Sequence, residues 1–319
     1  HDIVNASLSS SYIWHKCTVL ELTKNMRLLS GSCSSDIEET KKFASWLLDI
    51  GEGKVDTISD DQDVILIPDD LLISQSSDPV SDLIAFVYPS LLDNIHIPTY
   101  FQDRAILAPK NEVVHEINDI LLSMFPGDEV EYLSSDSVCQ SEDVNKQVDE
   151  RLVSPDVLNG LKFSGIPNHR LVLKVGVPVM LLRNIDQKSG LCNGTRLQVV
   201  KMRKRVIEAK IISGSNIGMR TFIPRITLSP SDKKIPFKFN RRQFPLAVSF
   251  AMTINKSQGQ SLSRVGLYLK DPVFSHGQLY VALSRVRSRD GLKIVIVDEN
   301  GELTNKTSNV VYKEVFQDL

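Results

Sequence analysis

Two runs near the C-terminal end hold the residue types best suited to chemistry: AMTINKSQGQ, Ala251 to Gln260, and QLYVALSRVR, Gln278 to Arg287. Each joins an apolar stretch to a cluster of Thr, Ser, Gln, Gly and Lys or Arg, the composition of an electropositive edge that meets phosphates where a strand hands over to a helix. In the first run Thr253, Asn255, Ser257 and Gln258 supply neutral hydrogen-bonding groups and Lys256 a point charge, while Gly259 lets a ligand approach the backbone closely. In the second, Arg285 offers a bidentate, permanently charged contact to phosphate oxygens, and Arg287 and Arg289 keep the local potential positive. An arginine in the last turn of a helix equally caps the final carbonyls. Neither run contains an acid–base pair or a nucleophilic triad, so these residues alone are not expected to cleave a covalent bond.

The elements that must position these runs read as α/β. Residues 11–30 read as a strand ending in a polar turn. Asp36 is the expected N-cap of a helix in which Phe43, Trp46, Leu47 and Ile50 recur at helical spacing, with Gly51 as its stop. A second amphipathic helix is expected near Val80–Leu92. Next come a short buried strand, Arg104 to Pro109, and a helix, Asn111 to Met124, the first half of a strand–helix–strand unit. Residues 126–160 are acidic and irregular, and read as a mobile surface connection. From Leu171 to about Phe239 short strands separated by turns, at Asn193-Gly194 and at Gly214 to Gly218, form a small all-β module. LVLKVGVPVMLLRN, TRLQVVKM, VIEAKII and MRTFIPRITL are its strands. The α/β pattern then resumes with a strand at Pro245–Phe250, RVGLYL, a helix at Gln278–Val286 and LKIVIV at Leu292–Val297. In that helix Leu279, Ala282, Leu283 and Val286 form one apolar stripe.

Composition sets limits on the partners. The chain of 319 residues is long enough for two domains. No apolar run approaches the ~20 residues of a membrane span, and no membrane partner is expected. The four cysteines, Cys17, Cys33, Cys139 and Cys192, lie far apart and read as reduced thiols of an intracellular protein. No histidine cluster has metal-ligand spacing, and His115 reads as an ordinary helix residue, so no metal ligand is assigned. The formal net charge of −2 conceals a strong polarity: residues 1–150 hold 9 Lys and Arg against 28 Asp and Glu, and the remainder 28 against 11. The basic part is the footprint of a polyanion-binding surface. A run such as Lys201 to Arg205 reads equally well as a solvated face.

TINKSQG resembles motif V, and LYVALSRV motif VI, of superfamily 1 helicases of the RecD-like branch. The likeness is greatest to Pif-type (petite-integration-frequency) DNA helicases and the helicase part of plant Helitron transposons, and FSHGQLYVALSRV is specific to that group. LTKNMRL resembles the family's motif IV arginine region, FASWLLDIGEG and IPDDLLI the segments after it, and LKVGVPVMLLRNID with GLCNGTRL the start of an inserted β module. The resemblance implies two RecA-like lobes with ATP and Mg²⁺ in the cleft between them, single-stranded DNA across the top, and a small SH3-like β-barrel inserted in the second lobe. Residues 1–25 would then end the first lobe, 26–165 and 244–319 form the second, and 166–243 the barrel. By the same resemblance Arg27 and Arg285 reach the γ-phosphate, Gln258 and Gly259 lie beside the nucleotide, and Thr253, Asn255, Lys256 and Ser257 face the DNA backbone. Two places depart from the family pattern: Asn255 stands where His is usual, and the stretch Ser154 to Asn159 is shortened.

What the sequence lacks bears on activity. It contains no G-x-x-x-x-G-K-[ST] loop (Walker A), no strand-borne Asp-Glu pair for Mg²⁺ (Walker B) and no glutamine motif upstream of them. HDIVNASLSSSYIWHKCTVLEL resembles the last helix and strand of a first lobe, so the chain is expected to be a piece of something longer, with that lobe as its partner. The reading is the C-terminal motor lobe of an ATP-dependent 5′–3′ DNA helicase, inactive in isolation. Two alternatives stand beside it: a truncated helicase or transposon remnant that only binds nucleic acid, and an α/β interaction domain with no nucleic-acid role. The family's settings are repair, recombination, telomere maintenance or transposition, in the nucleus or the mitochondrion.

Overall fold

The computed structural model describes residues 11–18, 20, 34–55, 63–97, 99–138, 154–163, 165–230, 237 and 239–316. Residues 11–18 contain a single 3-10 turn, Trp14–Lys16, and most of the strand expected over 11–30 lies outside the described residues. Helix α1 (Ser34–Glu52) buries Phe43, Leu47 and Ile50. It starts two residues before Asp36, which therefore sits in the first turn and is not the cap. It also continues through Gly51 and stops at Gly53, whose φ of +66° is the left-handed conformation glycine takes past a helix end. Gly51 serves close packing instead, since a β-carbon there would lie 3.0 Å from the Tyr280 ring.

Strand β1 (Val64–Leu66) and a 3-10 turn at Asp69–Leu71 lead to α2 (Pro79–Val87), capped by Asp78, whose carboxylate accepts from the Ser81 amide at 3.1 Å. The single helix expected over Val80–Leu92 is two, because Pro89 disfavours helical backbone before it and Ser90 turns left-handed (φ 49°) ahead of the short α3 (Leu91–Asn94). Strand β2 (Arg104–Ala108) and α4 (Asn111–Met124) lie where their patterns place them. Within the segment 126–160, the described residues are not the irregular connection expected of them. The segment contains β3 (Val130–Leu133), β4 (Ser135–Val138) and α5 (Pro155–Gly160), with residues 139–153 outside the described residues. Tyr132, buried, and Asp136, paired to a buried arginine, are the anchors that its polar composition hides.

The β module comprises β5 (Arg170–Leu173), β6 (Pro178–Leu181), β7 (Arg196–Met202), β8 (Val206–Ile211), β9 (Arg220–Pro224), β10 (Ile226–Leu228) and β11 (Phe239–Gln243). Two of its expected strands are each broken in two, between β5 and β6 and between β9 and β10. After β12 (Leu246–Val248) and β13 (Ala251–Thr253) come β14 (Arg264–Leu269), α6 (Gln278–Leu283), β15 (Leu292–Ile296) and β16 (Lys306–Ser308).

These elements form two compact units. One comprises His1–Pro89, Asp103–Val114 and Met252–Leu319; the other comprises Ser90–Gln102 and His115–Ala251. The first is α/β, built on a sheet of order β13-β2-β14-β15 in which β14 runs parallel to both β2 and β15. Its strands read as nearly unbroken apolar runs because both faces are covered, and Ile106, Leu107, Val265, Leu267 and Ile294 are fully buried. Helix α2 lies so close to β14 that a β-carbon on Gly266 would meet Leu83 and Val87 at 2.8 Å. β1 pairs antiparallel with β16.

The second unit holds a five-stranded antiparallel sheet, β12-β6-β7-β8-β9, a three-stranded sheet, β10-β11-β4, and the pair β3-β5. The Pro245–Phe250 strand does not resume the α/β pattern, because β12 pairs antiparallel with β6 and the parallel sheet takes up only β13. Phe101, Phe125 and Phe250 pack with ring centroids 5.7–6.3 Å apart. Arg241, fully buried, donates to both oxygens of Asp136 and to the carbonyls of Leu158, Leu161 and Pro167, which joins β4, β11 and α5. Asn118, the polar residue on the buried stripe of α4, accepts from the Ala251 amide at 2.8 Å and donates to the carbonyls of Ala251 and Val248.

Candidate phosphate and nucleic-acid site

The first run begins on β13, whose last residue, Thr253, is half-buried and precedes a 3-10 turn at Ile254–Ser257. Ile254 is fully buried and anchors this turn, so Asn255 projects into solvent. Ser257 is fully buried, and its hydroxyl donates to the Ile254 carbonyl at 2.6 Å. That serine closes the turn and does not line an open surface. The Gln260 amide then donates to the Ser257 carbonyl at 3.0 Å. Between them Gln258 and Gly259 are exposed, and Gly259 has φ +78° with no atom within 4 Å of the position a β-carbon would take. Left-handed backbone and open space together make this the place where a ligand can reach main-chain groups.

The second run starts on α6, where Leu279, Ala282, Leu283 and, just beyond, Val286 are all fully buried. The helix ends at Leu283, earlier than the Gln278–Val286 span its stripe indicates. Arg285 donates its amide to Ala282, three residues back, which tightens the last turn and leaves the arginine just past the helix end. From there its guanidinium gathers the site. Nε donates to the Val281 carbonyl at 2.8 Å, Nη1 to the carbonyls of Gln260 at 3.2 Å and Ser257 at 3.5 Å, and Nη2 to the Ser284 hydroxyl at 2.9 Å. Arg285 thus caps its own helix and also ties the two runs together. The Leu262 amide donates to the Arg285 carbonyl at 2.9 Å, which fixes the arginine's backbone beside the approach to β14.

Several expected site residues are therefore neighbours: Gln258, Gly259 and Arg285 form one wall, with the buried Ser257 behind it, and Thr253, Asn255 and Lys256 lie on the strand end and turn that lead into it. Arg27 lies outside the described residues. Arg289 does not serve to keep the potential positive, because it makes a two-pronged pair with Asp70 at 2.6 and 2.8 Å over the Trp46 ring. The hydrogen bond from Arg289 holds the Asp70 carboxyl below the usual carboxylate range, and Asp70 in turn raises Arg289. Gln260 and Ser284 were not singled out by sequence. Their signal was adjacency to a candidate arginine and glycine, since each spends a main-chain or hydroxyl oxygen on Arg285.

The wall's polar groups are guanidinium, side-chain amide and main chain, without a carboxylate among the three residues that form it. Such a set fits an anion such as a terminal phosphate, and it offers a divalent cation no hard oxygen anion.

Comparison with known proteins places the chain beside one group. Residues 1–61 match the family described as PIF1-like helicase, and residues 156–202 match the 2B domain of DNA helicase Pif1. The ATP-dependent DNA helicase PIF1 of Xenopus laevis is 36% identical over 137 residues, which is 41% of this chain and 20% of that protein. Among solved structures, Pif1 helicase from Candida albicans aligns with 97% of this chain and 62% of its own, at a TM-score of 0.58 and 22% identity. Pif1 helicase from Bacteroides in complex with ADP-AlF3 and single-stranded DNA aligns with 91% of this chain and 58% of its own, at 0.51 and 19%. The fold is theirs, and the chain spans only about a fifth of the length of the first curated relative.

Proposed function

We propose that this chain, which resembles PIF1-like helicases over residues 1–61 and 156–202, is the second motor lobe of an ATP-dependent 5′–3′ DNA helicase. The observation that carries this is Arg285, whose guanidinium joins the two phosphate-side runs through Ser257, Gln260, Val281 and Ser284. In this reading 26–165 and 244–319 form the lobe, 1–25 the end of the preceding one, and 166–243 an inserted SH3-like barrel. The match of 156–202 to a 2B domain supports that last assignment.

ATP with Mg²⁺, held by the first lobe, supplies the phosphoanhydride whose hydrolysis drives movement. Arg285, with Arg27, meets the γ-phosphate from the opposite side and stabilises the charge that spreads over its oxygens as the bond breaks. Gly259 and Gln258 flank the nucleotide, where open space at Gly259 admits it. Thr253, Asn255 and Lys256 contact the DNA backbone, and Ser257, its hydroxyl committed to Ile254, holds their turn in shape. An arginine of this kind is worth about 10³ to 10⁵ in rate only against a phosphate that a loop and metal already hold. This chain alone, without a G-x-x-x-x-G-K-[ST] loop, binds single-stranded DNA and hydrolyses no ATP.

Fluorescence anisotropy and ATPase assays on the 319-residue chain test the first half of this reading. Lys256→Ala should lower the slope of log affinity against log salt by roughly 0.7 without changing sequence preference. DNA-stimulated ATP hydrolysis by the chain alone would overturn it. In the protein that also carries the first lobe, Arg285→Ala should reduce ATP turnover by about 10³ or more while DNA affinity stays nearly constant. Parallel loss of both would mean that Arg285 only caps its helix and turn.

A further inference from the structure

The outer face of β7, β8 and β9 carries a surface that the motor-lobe reading leaves unused. Register places Lys201 opposite Glu208 and Glu208 opposite Phe222; in the neighbouring row Gln198 faces Lys210 and Lys210 faces Arg220. Ile207, Ala209, Ile211 and Ile223 point the other way into the core, so the two rows share the solvent side. Phe222 is 64% exposed on β9, which is the edge strand of its sheet, and Ile217 and Met219 just before it are exposed as well. Edge strands are ordinarily blunted by charge, and an open phenyl ring on one is the reverse. Around it the charge is one-sided. From Asn193 to Pro230 the sequence has eight Lys and Arg and a single acid, Glu208, which pairs with Arg220 at 3.0 Å. Arg196 and Arg225 have structural partners, the carbonyls of Ser249 and Leu133. The other basic residues, Lys201, Lys210 and the β7–β8 turn residues Arg203, Lys204 and Arg205, make no ion pair among the described residues.

We propose that this face is a second binding surface for single-stranded nucleic acid, with one base stacked on Phe222 and flanking phosphates met by Lys201 and Lys210. Strands are spaced at about 4.8 Å, so Lys201 stands roughly 10 Å across the sheet from Phe222, a reach that lets one nucleotide stack while the next phosphate meets the lysine. A base has an apolar face and an anionic backbone, which are the two properties the patch complements. An acidic protein segment would satisfy the lysines and leave the ring without a planar partner.

The test uses the whole chain and a dye-labelled oligo(dT) of about 20 nucleotides. Phe222→Ala should weaken binding by roughly 5-fold or more with the salt slope unchanged, and Phe222→Trp should restore it. Lys201→Gln with Lys210→Gln should instead lower the slope by about 1.4. Both substitutions are at the surface, and an unchanged melting curve will show that the fold is intact. Oligonucleotides carrying 5-iodouracil should photocross-link to the peptide containing Phe222, also in Lys256→Ala, which separates this surface from the turn after β13. Cross-linking confined to residues 253–260, with Phe222→Ala binding like the parent, sinks this proposal and leaves the motor-lobe reading standing. Failure of the parent chain to bind the oligonucleotide at all overturns both.

Discussion

Arg285 is half-buried and donates through three nitrogens to four oxygens of its own unit, so a two-pronged contact with a phosphate, which needs two of its five N–H groups, means releasing at least one of those bonds. The carbonyls of Ser257 and Gln260, at 3.5 and 3.2 Å, are the longest and the first to give way. The sequence made both of this arginine's roles legible, cap and phosphate contact, because residue type and helix position imply each. It did not reveal that the two compete for the same nitrogens, which depends on where the turn after β13 comes to rest. Arg289 shows the same limit in reverse. It reads as a free positive charge until folding brings Asp70, 219 positions away, against it. The Asp70 carboxyl is held low by this pair, so the stability it contributes is full above the ordinary aspartate pKa of about 4 and is lost as pH falls through the depressed folded value. Asp70→Asn should therefore cost about 0.5 kcal/mol at pH 7, modest because solvent screens the pair. Denaturant melts should show that difference shrink below about pH 4 and then disappear.

At the scale of elements, β2, β14, β15 and α4 could be placed from sequence because unbroken apolar runs and a 3.6-residue stripe each admit one periodicity. The ends of elements were less legible. Gly51 carries the signature of a helix stop, yet it serves Tyr280, and Gly53 makes the turn. β12 is three residues long, and only its long-range pairing with β6 decides which sheet it joins. Asp136 and Tyr132, in a stretch whose composition reads as solvent-facing, find their partners across 105 and 71 residues. Close approach of elements also sets the cost of substitution. A β-carbon on Gly291, at the start of β15, would sit 2.2 Å from the Ser263 carbonyl oxygen, a backbone atom that moves only with β14. Gly291→Ala should destabilise by about 3 kcal/mol in urea unfolding. The same substitution at Gly259, where the space is open, tests strain alone and should cost about 1 kcal/mol.

For the molecule as a whole, near-neutrality is the sum of an acidic N-terminal part and a basic remainder, and that division was visible in the sequence. Composition does not show which basic residues are spent inside. Arg196 and Arg241 are fully buried and bond to carbonyls or carboxylate, so neither guanidinium can meet a ligand at the surface. Asp136→Asn leaves the Arg241 charge buried with carbonyl partners only. It should destabilise the unit containing it by about 3–5 kcal/mol, whereas replacing both residues with apolar ones of similar volume should recover most of the loss. Calorimetry on the three proteins distinguishes a broken pair from a pair that was never favourable.

Asn118 closes a liability that strands create for themselves. Its side-chain amide accepts from the Ala251 N–H and donates to the Ala251 and Val248 carbonyls, so one helical residue imitates the hydrogen-bonding edge of a strand. Asn118 and Ala251 are both buried, so without this side chain the peptide groups it meets would be shut away from water and short of partners. By counterfeiting a neighbour, Asn118 spares this stretch of buried backbone the cost of unpaired peptide groups, and it does so without an additional strand.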